Sequence, residues 1–174
     1  MRGLALASLL MLAVPAAQAQ QRAAPSAQPS PLGVFQAWTA ATHVEGGQKV
    51  CYAFTRARSM EGVAGRDQNN VMLVVTHRSG SRDLVAFRVG YTFARNAEAK
   101  LFVGSNEFPF YTSGNAAFAR DGRGVVNALR GGREALGRSP GPNGRGQATD
   151  TFGLNGFTAA YEAISRECPT SARR

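Results

Sequence analysis

Between residues 49 and 112, short apolar runs alternate with turns containing Gly, Ser and Asn, and no other feature restricts the fold as strongly. Residues 84–93 show the pattern most clearly. Val85, Phe87, Val89, Tyr91 and Phe93 fall on one face, and Ala86, Arg88, Gly90 and Thr92 on the other. Successive side chains of a strand point to opposite faces, so this stretch reads as a strand with one side in a core. Residues 49–56 alternate in the same way, and residues 71–76 form a continuous apolar run suited to a central strand. Residues 100–103 and 108–112 flank Gly104-Ser105-Asn106-Glu107, which predicts a hairpin. Strands joined by turns this short must be antiparallel, because a parallel crossover needs about a dozen residues or more. Residues 34–39 add a short β-compatible run, Gly46-Gly47 marks a turn, and residues 59–70 read as a loop.

The period changes in the last third. Val125, Val126, Leu129 and Leu136 suggest a short helix that Gly131-Gly132 weakens or ends. Residues 137–146 hold four Gly and two Pro and read as a loop, followed by a strand over 147–152. Leu154, Phe157, Tyr161, Ile164 and Cys168 then step by three and four, the stripe of an amphipathic helix. Asn155 is its expected N-cap and Pro169 its stop. Strands and helices do not alternate. The expected fold class is therefore mainly β (α+β): an antiparallel β-sandwich or curled sheet with two short C-terminal helices.

The first residues are of another kind. Arg2 precedes an apolar run from Gly3 to Val14, Pro15 ends it, and Ala17-Gln18-Ala19 supplies the small residues of a cleavage site. This is the pattern of a secretory signal peptide, and the run falls short of the about 20 residues a membrane-spanning helix needs. The expected organisation is a signal peptide at 1–19, a flexible Pro-rich linker at 20–32, one β-rich domain at 33–168 and a tail at 169–174. The protein is expected in the periplasm, or outer-membrane-associated or secreted, with at most peripheral membrane association.

Export decides how the two cysteines read. An oxidising compartment favours a disulfide over free thiols. Cys51 and Cys168 lie near the two ends of the folded part and are expected to be bonded. A nucleophilic Cys and two buried thiols are the rival readings. No C-x-x-C pair supports thioredoxin-like redox work.

Two Cys and two His leave no room for a four-Cys iron–sulfur cluster, and a four-ligand zinc site would need all of them together. The common catalytic templates are missing: no G-x-S-x-G elbow, no H-E-x-x-H and no phosphate-binding loop of the G-x-x-x-x-G-K-[ST] type. Gly122-Arg123-Gly124 and Gly144-Arg145-Gly146 resemble glycine-rich loops only superficially. His77 follows a hydrophobic strand and reads as a strand-end residue bonded to backbone, or else as a general base or metal ligand without an obvious partner. His43, near Glu45, reads as an exposed polar residue. Arg78, Arg82 and Asp83 bracket one hairpin; either an Arg–Asp bridge holds the turn, or the arginines bind an anionic ligand. Candidate ligand-binding residues are thus Arg78, Arg82 and His77. No catalytic residue, metal site or cofactor is expected.

The formal net charge is +9, from 20 basic and 11 acidic residues, and 18 of the basic residues are Arg. On an exported domain this charge suits anionic surface components, while nucleic acid is not an expected partner.

The chain resembles the invasion-associated locus B (IalB) family of exported alphaproteobacterial proteins. The resemblance rests on Phe35-Gln36-Ala37-Trp38, Val50-Cys51-Tyr52, Val74-Val75-Thr76-His77-Arg78 with Arg82-Asp83, and the closing segment Thr149-Asp150-Thr151-Phe152-Gly153-Leu154-Asn155-Gly156-Phe157-Thr158-Ala159-Ala160-Tyr161 before Cys168. It covers nearly all of residues 33–168. It implies a small β-rich envelope protein, associated in some pathogens with host-cell invasion, and it carries no catalytic residues. The leading expectation is a non-enzymatic envelope protein that binds an unknown envelope protein or anionic surface ligand. The alternatives are a periplasmic binding module for an anionic small molecule or glycan, and an enzyme of unrecognised type using His77.

Overall fold

The computed structural model describes residues 28–169. The expected signal peptide at 1–19, most of the linker and the tail beyond Pro169 lie outside these residues. Ten strands and two helices follow one another in the described chain. The strands are β1 (Ser30–Phe35), β2 (Trp38–Glu45), β3 (Gln48–Glu61), β4 (Val71–Arg78), β5 (Ser81–Val89), β6 (Glu98–Val103), β7 (Asn106–Ser113), β8 (Ala116–Ala119), β9 (Glu134–Pro140) and β10 (Gln147–Gly153). Helix α1 (Gly122–Gly131) lies between β8 and β9, and helix α2 (Phe157–Glu167) closes the domain.

All pairings are antiparallel, and the sheet is a closed barrel rather than the sandwich or open curled sheet expected. The order β3-β10-β9-β6-β7-β8-β5-β4 returns to β3 through the β3–β4 pairing. The length of β3 makes this possible. Its first part pairs with β2, its last part, Ala57 to Glu61, with β10, and Cys51 to Arg56 with β4. One strand thus closes an eight-stranded barrel and carries the β1–β2 hairpin outside it. Closure removes free edges that two stacked sheets would leave.

The alternation in residues 84–93 holds as far as β5 runs. Val85, Phe87 and Val89 are buried in the core, with Phe87 against Phe110 and Phe152. The strand ends at Val89, four residues early, because Gly90 turns the chain with φ +79°. Residues 34–39 form not one strand but the ends of two, joined by a tight turn at Gln36-Ala37. Trp38 is fully buried, and its Nε1 donates to the Gly153 carbonyl at 2.9 Å, tying the outer hairpin to β10. Strand pairing begins at Ser30.

The helices differ from expectation at their ends. α1 stops at Gly131, and Leu136 belongs to β9, which also takes in Gly137 to Pro140 of the expected loop. Gly137 and Pro140 in that stretch mask a strand whose ladder partners are β10 and β6. The N-cap of α2 is Gly156, not Asn155. A Cβ there would come within 1.9 Å of the Phe35 carbonyl oxygen, and φ is +89°, so only glycine fits. The predicted stripe packs as expected: Phe157, Tyr161 and Ile164 are buried, with Phe157 against Trp38. α2 lies against β1, β2 and β3, and α1 against β5 and α2.

Cys51 on β3 and Cys168 at the end of α2 form a disulfide, with Cα atoms 6.1 Å apart across 117 positions. It fastens the last helix to the first long strand.

Candidate functional site

Where β4 turns into β5, the register slips between Thr76 and Arg78 and Asp83 adopts φ +55°. The irregular backbone turns His77 inward and sends Arg82 over it toward α2. The His77 ring is fully buried, pairs with Cys51 across the sheet and packs edge-on to Tyr161 at 5.2 Å. Its Nδ1 accepts the Asp83 backbone N–H at 3.3 Å, and its Nε2 lies 3.2 Å from Ser165 Oγ and 3.1 Å from an Arg82 nitrogen. With the proton on Nε2 the ring meets the Asp83 amide and Ser165; with it on Nδ1 it accepts from Arg82. Burial, then the adjacent Arg82 guanidinium, hold His77 below its ordinary value, against the opposing pull of Asp83 and a Thr76 backbone bond.

Arg82 also donates to Ser165 Oγ at 2.9 Å and to the Cys168 carbonyl at 2.5 Å, so it ties β5 to the end of α2. Both acceptors are neutral. Asp83 accepts a hydrogen bond from the Tyr161 hydroxyl at 2.7 Å. Burial and this carboxylate push the Tyr161 phenol up. The Arg–Asp bridge expected at this hairpin does not form; Arg78 instead pairs with Glu45 at 2.5 Å on the exposed side.

The structure therefore brings His77 and Arg82 together and sends Arg78 elsewhere. Arg78 and Arg82 do share the rim of one groove of about 610 Å³ beside the disulfide. Its other cation, Lys49, bonds Glu167 at 2.5 Å, so of its three cations only Arg82 has no carboxylate partner among the described residues.

A second and larger groove, about 740 Å³, opens on the other side of Arg82, between α1, α2 and strands β5, β7 and β8. It gathers Arg82, Arg120, Arg123 and Arg130 against a single carboxylate, Asp83. Tyr111, Phe118 and Tyr161 supply aromatic walls. Helix α1 sits close because of Gly122: a Cβ there would come within 1.8 Å of the Asp83 carbonyl oxygen. Asp121 caps the helix by accepting the Gly124 N–H at 2.9 Å. Gly122-Arg123-Gly124 is thus the first turn of α1.

The arginines in this groove are held by rings more than by acids. Arg130 stacks over Tyr161 at 4.6 Å and Arg120 over Tyr111 at 5.7 Å. Only Arg120 has a carboxylate partner among the described residues, Glu98 at 3.3 Å. The sequence reading missed Arg120, Arg123 and Arg130. Arg130 lies in the segment read as helical, but Arg123 precedes its first stripe residue, Val125, in a Gly-Arg-Gly run that resembled a glycine-rich loop, so neither their common face on α1 nor its position against Tyr161 was legible.

Another polar centre lies elsewhere in the barrel. Arg66 and Asp150 pair at 2.6 Å with both side chains almost wholly buried. Arg66 also donates to the Val63 and Glu61 carbonyls at 3.1 Å. Burial pushes the Asp150 carboxyl up despite Arg66, and its Oδ2 has no hydrogen-bond partner.

No family model matches the sequence, and no curated protein does. Among solved structures, invasion-associated protein B from Bartonella henselae aligns over 78% of this chain and 95% of its own, at 17% identity and a TM-score of 0.55. The barrel with its two helices is therefore similar in fold to that protein.

Proposed function

We propose that this chain is an exported member of the invasion-associated locus B family, a non-enzymatic envelope protein that binds an envelope or host partner. Its place is the periplasm or the outer membrane surface, after cleavage near Ala19. The observation that supports this best is the Cys51–Cys168 disulfide, which fastens α2 to β3 in a barrel similar in fold to invasion-associated protein B. Such a bond persists in oxidising compartments. The non-enzymatic reading is supported by His77, whose ring is fully buried and engaged by internal partners, out of reach of a substrate proton.

A second reading, a binding module for an anionic small molecule or glycan, is favoured by the groove that gathers Arg82, Arg120, Arg123 and Arg130. Guanidinium groups pair with carboxylate, sulfate or phosphate in a planar fork.

Cell fractionation with intact-mass analysis tests the first reading. The expected result is an envelope-fraction protein lacking residues 1–19, with neither Cys alkylated under non-reducing conditions. Recovery only from the cytoplasm, or two alkylated thiols, would overturn it.

A further inference from the structure

We infer that the groove between α1 and β8 is a binding site for an extended acidic oligosaccharide, with Arg123 and Arg130 holding its acid groups. This inference rests on the second reading above and gives it a site and a ligand class.

Charge is the first support. Arg82, Arg123 and Arg130 face the groove without a carboxylate within ion-pair distance among the described residues. Arg82 spends its donors on a hydroxyl, a carbonyl and the His77 ring, none of them a carboxylate. In the neighbouring groove, Arg78 and Lys49 are each matched to a glutamate. The two grooves share Arg82, and only the larger one is left strongly positive.

Preorganisation is the second. Stacking on Tyr161 and Tyr111 places the guanidinium groups of Arg130 and Arg120 before any ligand arrives. Holding a long side chain in place beforehand lowers the entropy lost on binding.

Shape and surface select the ligand. Arg123 and Arg130 are seven residues apart on one helix, a separation of about 10 Å along its axis. A chain bearing several acid groups matches that spacing, each arginine taking one group. Tyr111 is 46% exposed and stacks with Phe118 at 5.5 Å, offering a broad aromatic platform in the same groove. The C–H face of a sugar ring suits such a platform, while carboxylate, sulfate or phosphate substituents suit the arginines. Asn127, exposed on the same helix, adds an amide that can both donate and accept toward hydroxyl groups. A volume of about 740 Å³ is in the range of sites for ligands of several rings.

Isothermal titration of the disulfide-bonded protein at physiological salt tests the inference. The acidic probes are a heparin-derived tetrasaccharide and a deacylated lipopolysaccharide core oligosaccharide; whichever binds more tightly identifies the source of the acidic sugar. Cellotetraose, sodium sulfate and AMP are the neutral, single-ion and aromatic-anion controls. At least one acidic oligosaccharide should bind, and cellotetraose should not. Arg123→Ala and Arg130→Ala, both exposed positions, should each raise Kd about tenfold with an unchanged circular dichroism spectrum, the loss of one charge-assisted contact. Arg138→Ala, on β9 and outside the groove, should leave Kd unchanged. Failure of both acidic probes, unchanged affinity in the two groove variants, or sulfate or AMP binding as tightly as the oligosaccharides would overturn the site. Such a failure would leave the exported-protein reading intact, since fractionation and thiol mass decide that independently.

Discussion

Arg66 and Asp150 meet at 2.6 Å with both side chains almost wholly out of solvent, whereas His77 and Arg82 meet at 3.1 Å beside an open groove. The first centre pairs opposite charges inside the barrel wall and points at nothing outside it. The second gathers a hydroxyl, a carbonyl and an imidazole around one guanidinium, with Asp83 nearby bonded to Tyr161, and leaves that guanidinium without an ion pair at a surface. Burial acts on both, in opposite directions. It drives His77 away from its cationic form and Asp150 away from its anionic form. A buried charge in one place is neutralised by a partner, while in the other it is kept at the boundary, where a ligand can reach it.

The largest effect should come from the disulfide, which joins the second centre to α2. Replacing Cys51 and Cys168 with Ala should lower the unfolding free energy by up to about 4.7 kcal/mol in urea titration. Hydrogen exchange should rise in α2 and around His77 and stay unchanged around Arg66. Equal loss of protection at both centres would mean that the barrel and α2 open as one unit.

Next comes the buried pair. Arg66→Met strands the Asp150 carboxylate and should cost about 3–5 kcal/mol. Arg82→Met removes bonds to Ser165 and Cys168 at a half-exposed site and should cost about 1–2 kcal/mol. Equal losses in chemical denaturation would erase the distinction between the centres.

The pH dependence should separate them further. His77 sits below its ordinary 6.5 in the folded state, so its contribution is complete above 6.5 and declines as pH falls below it. Asp150 sits above its ordinary 3.8, so its contribution is complete below 3.8 and declines as pH rises through the folded value. His77→Gln should flatten the stability profile just below 6.5, and Asp150→Asn should flatten it from 3.8 upward. Denaturation midpoints across this range give the answer; a His77→Gln profile superimposable on wild type would refute the first assignment. The smallest effect belongs to Tyr161→Phe, which loses one hydrogen bond to Asp83 and about 1 kcal/mol in thermal unfolding.

Much of the fold was legible because its signals are local. The alternation through Val85, Phe87 and Val89, the hairpin turn at Gly104-Ser105 and the stripe through Phe157, Tyr161 and Ile164 each follow from backbone geometry within a few residues. β9 was not, because Gly137 and Pro140 argue for a loop and only its partners on β6 and β10 overrule them. Nor was the choice of barrel over sandwich, since it depends on one strand sharing its edges among β2, β4 and β10.

By itself, then, the sequence determined an antiparallel, mainly β domain with two helices, and it pointed to the Cys51–Cys168 bond. Period and turn chemistry are properties of neighbouring residues, and they survive without knowledge of the rest of the chain. Only the tertiary structure decided that Arg82 faces a groove with Arg120, Arg123 and Arg130 while Arg78 turns away to Glu45. Electrostatic environment depends on which distant segments meet, and helix α1 reaches Arg82 only because Gly122 lets it lie against the Asp83 backbone.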